Sequence, residues 1–185
     1  MCIYFFSHEN DRSRAGPLRR LAQPLAPSDA RLAPDARMFD MRVALLAHDY
    51  ARREPRDVMG AQGLVIVGVG RSGERGFQML YRFSDACERL EALGTNVIFV
   101  YPKESARHVL DPVSVSSAQI RQRPCLFLDD EGRFFQRPCP PRSLALVHLS
   151  RDMTPLDTAK IVLHDHAWAD ELLAFLARAQ ARVMH

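Results

Sequence analysis

The sequence predicts an α/β fold: a central mixed β-sheet flanked by helices, with an irregular arm at the N-terminus. Three observations predict it. Leu64-Val65-Ile66-Val67 and Val97-Ile98-Phe99-Val100-Tyr101 are short, β-branched and aromatic runs that read as buried strands. Between them Phe77, Leu80, Phe83, Cys87 and Leu90 recur at intervals of three and four, which makes one apolar helical stripe. Further on, two apolar segments flank the polar, glycine-ended connection Asp129-Asp130-Glu131-Gly132, a hairpin signal.

The elements follow in order. Residues 1–37 carry Pro17, Pro24, Pro27 and Pro34 among Arg, Ala and Asp, and little there can bury a face. They form the predicted arm; residues 38–185 form the domain, and Met38 or Met41 is compatible with a true start. Met41–Arg53 offers Val43, Leu46, Ala47 and Tyr50 at helical spacing, although Arg42–Ala47 reads equally as a strand. Gly94 stands where a left-handed residue would stop the central helix. A strand–helix–strand unit of this length implies a right-handed parallel crossover. Asp111-Pro112 breaks the chain, and Ser116 or Ser117 is placed to cap a short helix before Arg123. Cys125–Leu128 and Arg133–Gln136 are the two arms of the expected antiparallel hairpin, and Leu144–Leu149 adds a further strand. Thr154-Pro155-Leu156-Asp157 has the pattern of a helix start, while Ile161-Val162-Leu163 has that of a strand. Asp165 then caps a last helix whose face holds Trp168, Leu172, Phe175, Leu176, Ala179 and Val183.

Composition narrows the function classes. At 185 residues, 47% hydrophobic and 25% charged, the chain has enough apolar material for one globular core. No apolar run approaches the roughly 20 residues that span a bilayer. The opening Met1–Ser7 is too short for a secretory signal and lacks a basic leader, so a cytoplasmic protein is expected, with no membrane partner. The net charge is +3, and the only lysines are Lys103 and Lys160. The arginines are scattered and not interleaved with aromatics, which argues against nucleic acid. Cysteines at 2, 87, 125 and 139 show neither C-x-x-C spacing nor a zinc pattern. Free thiols are the expectation.

Four constellations bear on chemistry. Gly68-Val69-Gly70-Arg71-Ser72-Gly73 is a G-x-G-x-x-G between a strand and a helix, and with Gly76 it forms a candidate binding loop for a nucleotide phosphate. The acidic residue expected about 20 residues on is missing, since the first acid after the next strand is Glu104. Pro124-Cys125 opens an apolar strand with Arg121 and Arg123 beside it, which makes Cys125 a candidate thiolate and Arg123 its stabiliser. Cys87, on the helical stripe, and Cys139, between prolines and expected to be exposed, are candidate resolving cysteines. Finally, His164-Asp165-His166, with His148 and His185 elsewhere, falls short of a three- or four-ligand metal set. No metal and no cofactor are expected.

About 100 residues, from Ala33-Pro34-Asp35 and Phe39 through Gly63–Val67 and Phe83–Gly94 to Arg123–Gly132, resemble the thioredoxin superfamily and its peroxiredoxin branch. The resemblance implies a thioredoxin-like fold. It also implies a loop carrying proline, threonine and an attacking cysteine, a distal arginine in an Arg-x-x-Phe-x-x-Asp-x-x-Gly hairpin, and a cis-proline, here Pro124, ahead of a sheet strand. Matching back from Phe83 puts Gly76 at the cysteine, Gly73 at the threonine and Val69 at the proline, so none of the three is kept; Arg123 falls at the distal arginine. The expectation is a peroxiredoxin-like protein that has lost the usual catalytic cysteine and binds a protein or small-molecule partner. Two alternatives stand beside it: a thiol–disulfide oxidoreductase or peroxidase using Cys125, and a nucleotide-binding protein using Gly68–Gly73. Pairing into a homo-oligomer is compatible with the resemblance.

Overall fold

The computed structural model describes residues 38–71, 82–109 and 125–184. The chain divides into Met1–Arg31 and Leu32–His185, and every described residue belongs to the second unit. The predicted arm lies outside the described residues.

The centre of the sheet is β3, Gly63–Val69, in which every residue is buried. Its near-continuous apolar run is what a strand covered on both faces requires. Helix α1, Ser84–Ala92, leads into β4, Thr95–Pro102. The two strands are parallel, with Val65 opposite Val97 and Val67 opposite Phe99. Between helix and strand, Gly94 has φ +86°, and its N–H is donated to the Glu91 carbonyl. A left-handed residue ends the helix there, as the sequence predicts.

A one-turn helix, α2, Ala106–Val109, follows β4. Strand β5, Leu126–Asp129, then pairs parallel with β4. Strand β6, Ser143–Ser150, returns antiparallel on the other side of β3, and β7, Pro155–Val162, pairs antiparallel with β6. Two short strands, β1 (Leu45–Ala47) and β2 (Arg52–Arg53), complete the far edge. The seven-stranded order is β2-β1-β5-β4-β3-β6-β7. The last helix is α3, Trp168–Val183. A parallel strand–helix–strand unit, an antiparallel hairpin beside its first strand and a closing helix make this a thioredoxin-like α/β fold.

Strand alternation divides the interior into two cores. Val65, Val67, Leu126, Leu144 and Leu146 face α1 and α3, meeting Phe83, Leu90, Leu172, Phe175 and Leu176. Leu64, Ile66, Ile98, Phe127 and Val147 point the other way, beneath Met38, Phe39, Val43, Val58 and Phe134. Each such large apolar side chain contributes roughly 1.5–3 kcal/mol when buried.

The predicted hairpin at 125–136 is corrected. Gly132 does make the turn, with φ +69° and its N–H on the Asp129 carbonyl at 3.2 Å. The second arm does not continue as a strand, because Asp129 captures its backbone. The carboxylate accepts from Arg133 N (3.0 Å) and Phe134 N (3.1 Å), with Phe135 N at 3.4 Å. The chain then folds back so that Phe134 stacks on Phe39 at 5.0 Å between ring centroids. The antiparallel hairpin of the fold is β6–β7. Residues 42–47 take the strand alternative at Leu45–Ala47, and Pro155 opens a strand rather than a helix.

Candidate functional site

The carboxyl end of β3 runs into the glycine loop and meets the start of β6. Gly70 N–H is donated to the Ser143 carbonyl at 2.8 Å, and Arg142 N–H to the Arg71 carbonyl at 3.1 Å. A Cβ on Gly70 would lie 2.1 Å from the Pro140 carbonyl oxygen. A Cβ on Gly68 would lie 2.7 Å from the Phe39 ring and 2.8 Å from the Phe135 ring. Both glycines therefore serve close approach by the protein's own chain. A phosphate cradle needs free outward N–H groups, and Gly70 has already given its own away. An antiparallel β6 beside β3 is also foreign to a dinucleotide-binding sheet. The nucleotide reading of Gly68–Gly73 is disfavoured on both counts; Ser72, Gly73 and Gly76 lie outside the described residues.

Arg71 and Arg142 are both exposed at this mouth. Arg142 holds φ +57°, an uncommon conformation for a non-glycine residue. Its carbonyl accepts from Leu163 N at 2.8 Å, which ties the end of β7 to the start of β6. Arg142 thus stands immediately before β6. Arg123 and Pro124, the distal-arginine and cis-proline candidates, lie outside the described residues. Gln136-Arg137-Pro138-Cys139 repeats Gln122-Arg123-Pro124-Cys125, an echo too short to mean duplication. Among the described residues no peptide bond is cis.

Cys125 precedes β5 and is half-buried. Its carbonyl accepts from Phe99 N at 2.7 Å, which places it beside the middle of β4. In strand register this is about four residues short of Gly70 and two strands away from β3, roughly 13 Å along the sheet and about 10 Å across it. Cys125 therefore lies away from Gly70. Burial, and then the Glu91 carboxylate, push its thiol up to about 11.

Cys87, on α1, is half-buried against the same core. Burial pushes its thiol up to about 12, helped by Glu91 and by Cys125 itself. The two sulfurs thus share one environment, and it opposes thiolates. Among the described residues no cation lowers either thiol's pKa.

Cys139 is half-buried rather than exposed, packed near Met38 and Phe39. Its sulfur lies 3.4 Å from Ser143 Oγ and 3.9 Å from the Gly68 carbonyl. Burial raises its pKa, against the lowering effects of Ser143 and Lys160. It stands on the face of the sheet opposite Cys87 and Cys125. The structure brings Cys87 and Cys125 together and leaves Cys139 apart.

No group of three or more His, Cys, Asp or Glu side chains among the described residues is placed to hold a metal ion. His164 and His166 are exposed, whereas His148 is fully buried on β6. No helix among the described residues is long and apolar enough to cross a membrane.

No protein-family model matches the chain, and no curated protein does either. Among solved structures it is similar to peroxiredoxin Q of Xanthomonas campestris, at 16% identity and TM-score 0.49, covering 80% of this chain and 96% of that one. Peroxidoxin BcpB from Mycobacterium tuberculosis is 15% identical with TM-score 0.49, over 77% and 97%. Copper-bound ScoI of Arabidopsis thaliana is 12% identical with TM-score 0.43, over 75% and 96%. These are likenesses of outline at low identity, and the roles argued for this chain rest on its own residues.

Proposed function

We propose that this chain is a thioredoxin-fold binding or accessory protein that works without a reactive thiolate. The observation that carries the reading is the pair of thiols at Cys87 and Cys125, held at about 12 and about 11 by burial and the Glu91 charge. At neutral pH such thiols stay protonated, and the thiolate is the nucleophile. Cys139 is shifted in the same direction. The segment from Ser72 to Tyr81, where the resemblance puts the attacking cysteine, contains no cysteine. What the mouth at Gly70 offers instead is the guanidinium groups of Arg71 and Arg142, suited to a carboxylate or phosphate on a partner.

One observation favours a second reading. Cys125 is near enough to Cys87 to weigh on its ionisation. A hydroperoxide could oxidise one thiol to a sulfenic acid, releasing an alcohol or water. Attack by the second thiol would then form the disulfide and release water.

One experiment separates the readings. The reduced protein and its Cys125→Ser variant are mixed with hydrogen peroxide, and free thiols and intact mass are followed from seconds to minutes. The binding reading expects thiol loss no faster than for free cysteine and the same in both proteins. Rapid formation of an intramolecular disulfide, two mass units lighter and abolished by Cys125→Ser, would overturn it.

A further inference from the structure

At the pole of the sheet opposite the glycine loop, a cleft of about 440 Å³ opens between two turns. One wall is the 3-10 turn Pro55–Val58 and the bend after it, contributing Arg56, Met59, Gly60 and Ala61. The other is the β6–β7 turn, contributing Arg151, Asp152 and Met153. The volume lies in the range of small-molecule sites.

The floor is apolar. Met59 and Met153 are half-buried and both pack on the core beneath the sheet. Thioether side chains suit varied apolar shapes. The rim is cationic. Arg56 and Arg151 are exposed, and neither guanidinium has a carboxylate partner among the described residues. The one acid of the rim, Asp152, is engaged within its own turn. It accepts from the Ser150 hydroxyl and from Thr154 Oγ1 at 3.0 Å. The rim therefore carries two guanidinium groups without a carboxylate partner among the described residues, beside one occupied carboxylate.

The walls are pre-formed. Gly60 N–H is donated to the Gly63 carbonyl at 3.0 Å, Gln62 N–H to the Gly94 carbonyl at 2.8 Å, and Asn96 Nδ2 to the Val58 carbonyl at 2.8 Å. Across the cleft, Ser150 N–H is donated to the Thr154 carbonyl at 2.9 Å and Met153 N–H to the Ser150 carbonyl at 3.0 Å. A site whose backbone is already tied down loses little freedom when it is filled.

We propose that this cleft binds a small organic anion, its apolar body on Met59 and Met153 and its acid group between Arg56 and Arg151. A carboxylate and a phosphate monoester share the planar or multi-oxygen acceptor that an arginine fork grips. This site is separate from the mouth at Gly70 and does not depend on the reading given for it.

The test is calorimetric titration of the full chain with octanoate, octyl phosphate, acetate and 1-octanol. At least one of the two amphipathic anions binds about tenfold or more tighter than acetate and octanol, because both the fork and the floor are engaged. Arg56→Ala and Arg151→Ala each weaken it about tenfold, with unchanged circular dichroism and thermal midpoint, since neither side chain supports the fold. The stronger anion tells which acid group the cleft prefers. Absence of binding by both anions at millimolar concentration, octanol binding as tightly as the anions, or affinity unmoved by both arginine variants would each overturn the proposal.

Discussion

Gly70 hands its backbone N–H to the Ser143 carbonyl at 2.8 Å and leaves no room for a side chain against Pro140. This contact joins the end of β3 to the start of β6. It fixes where the loop leaves the sheet and where Arg71 and Arg142 emerge. Both sides of a Gly70 Cβ would meet backbone atoms, which cannot swing aside.

Gly70→Ala is therefore expected to destabilise the protein by about 2–3 kcal/mol, the scale of a backbone clash in a packed region. Gly68→Ala meets the rims of Phe39 and Phe135 instead, side chains that can give slightly. It should cost less than Gly70→Ala. Urea unfolding of both variants checks the order, and equal effects would contradict the geometry.

The thiols set a pH dependence at the alkaline end. Cys125 is held up to about 11 in the folded protein by burial and Glu91, against about 8.5 in an unfolded chain. The folded state thus keeps its proton longer. That stability is fully present below about pH 8.5 and is lost as pH rises toward 11. The two-and-a-half-unit gap corresponds to about 3 kcal/mol when each unit is 1.36 kcal/mol. Wild type should lose stability between pH 8.5 and 10.5 more steeply than Cys125→Ser, as read from urea midpoints. Parallel profiles would mean that Cys125 ionises freely in the native state.

Asp157 on β7 links the last strand to the last helix. It accepts from Arg178 Nε at 3.1 Å and from Arg182 Nη1 at 2.7 Å. Burial alone would raise its pKa, but the hydrogen bonds from Arg182 and Arg178 prevail and lower it. Its contribution is present above the ordinary carboxylate range and lost as pH falls through it. Because both arginines are well exposed, Asp157→Asn should cost only about 0.5–1 kcal/mol at low salt, and less at 1 M salt. A salt-independent loss in thermal unfolding would point to packing instead.

The strands and helices with strong apolar periodicity were legible in the sequence: β3, β4, β6 and α3, and the glycine stop at Gly94. Their patterns are set by burial on one or both faces, and burial is what periodicity records. The hairpin was misplaced because Asp129–Gly132 is a genuine turn. Only the capture of Arg133, Phe134 and Phe135 N–H groups by the Asp129 carboxylate, and the stacking on Phe39, keep the second arm from pairing. Phe39 is distant in sequence, and although Asp129 lies close by, a carboxylate that caps its own turn reads the same as one in a hairpin connection. The sequence already set Cys87 beside Cys125 as a candidate resolving cysteine, but the burial and the Glu91 charge that raise both thiols come from packing that local pattern does not record.

His148 sits wholly buried on β6, opposite Val65 on one side and Asp157 on the other, at a register shift in the β6–β7 pairing. Among the described residues neither ring nitrogen has a hydrogen-bond partner. Burial, and then the Arg182 charge, lower its pKa, with Asp157 opposing. The folded protein therefore resists protonating the ring, while an unfolded chain takes up a proton near pH 6.5. Stability from this group is present above pH 6.5 and falls as the solution is acidified below it. An imidazole with two unsatisfied nitrogens is also a costly way to fill a core, and an apolar side chain of similar size would remove that cost. His148→Leu is expected to be as stable as wild type or more so at pH 7.5. At pH 5.5 it should be clearly more stable, because it cannot gain a proton on unfolding. Thermal midpoints of the two proteins across pH 5–8 provide the measurement. A wild-type advantage that persists at pH 5.5 would show that the imidazole has a native partner and is worth its burial.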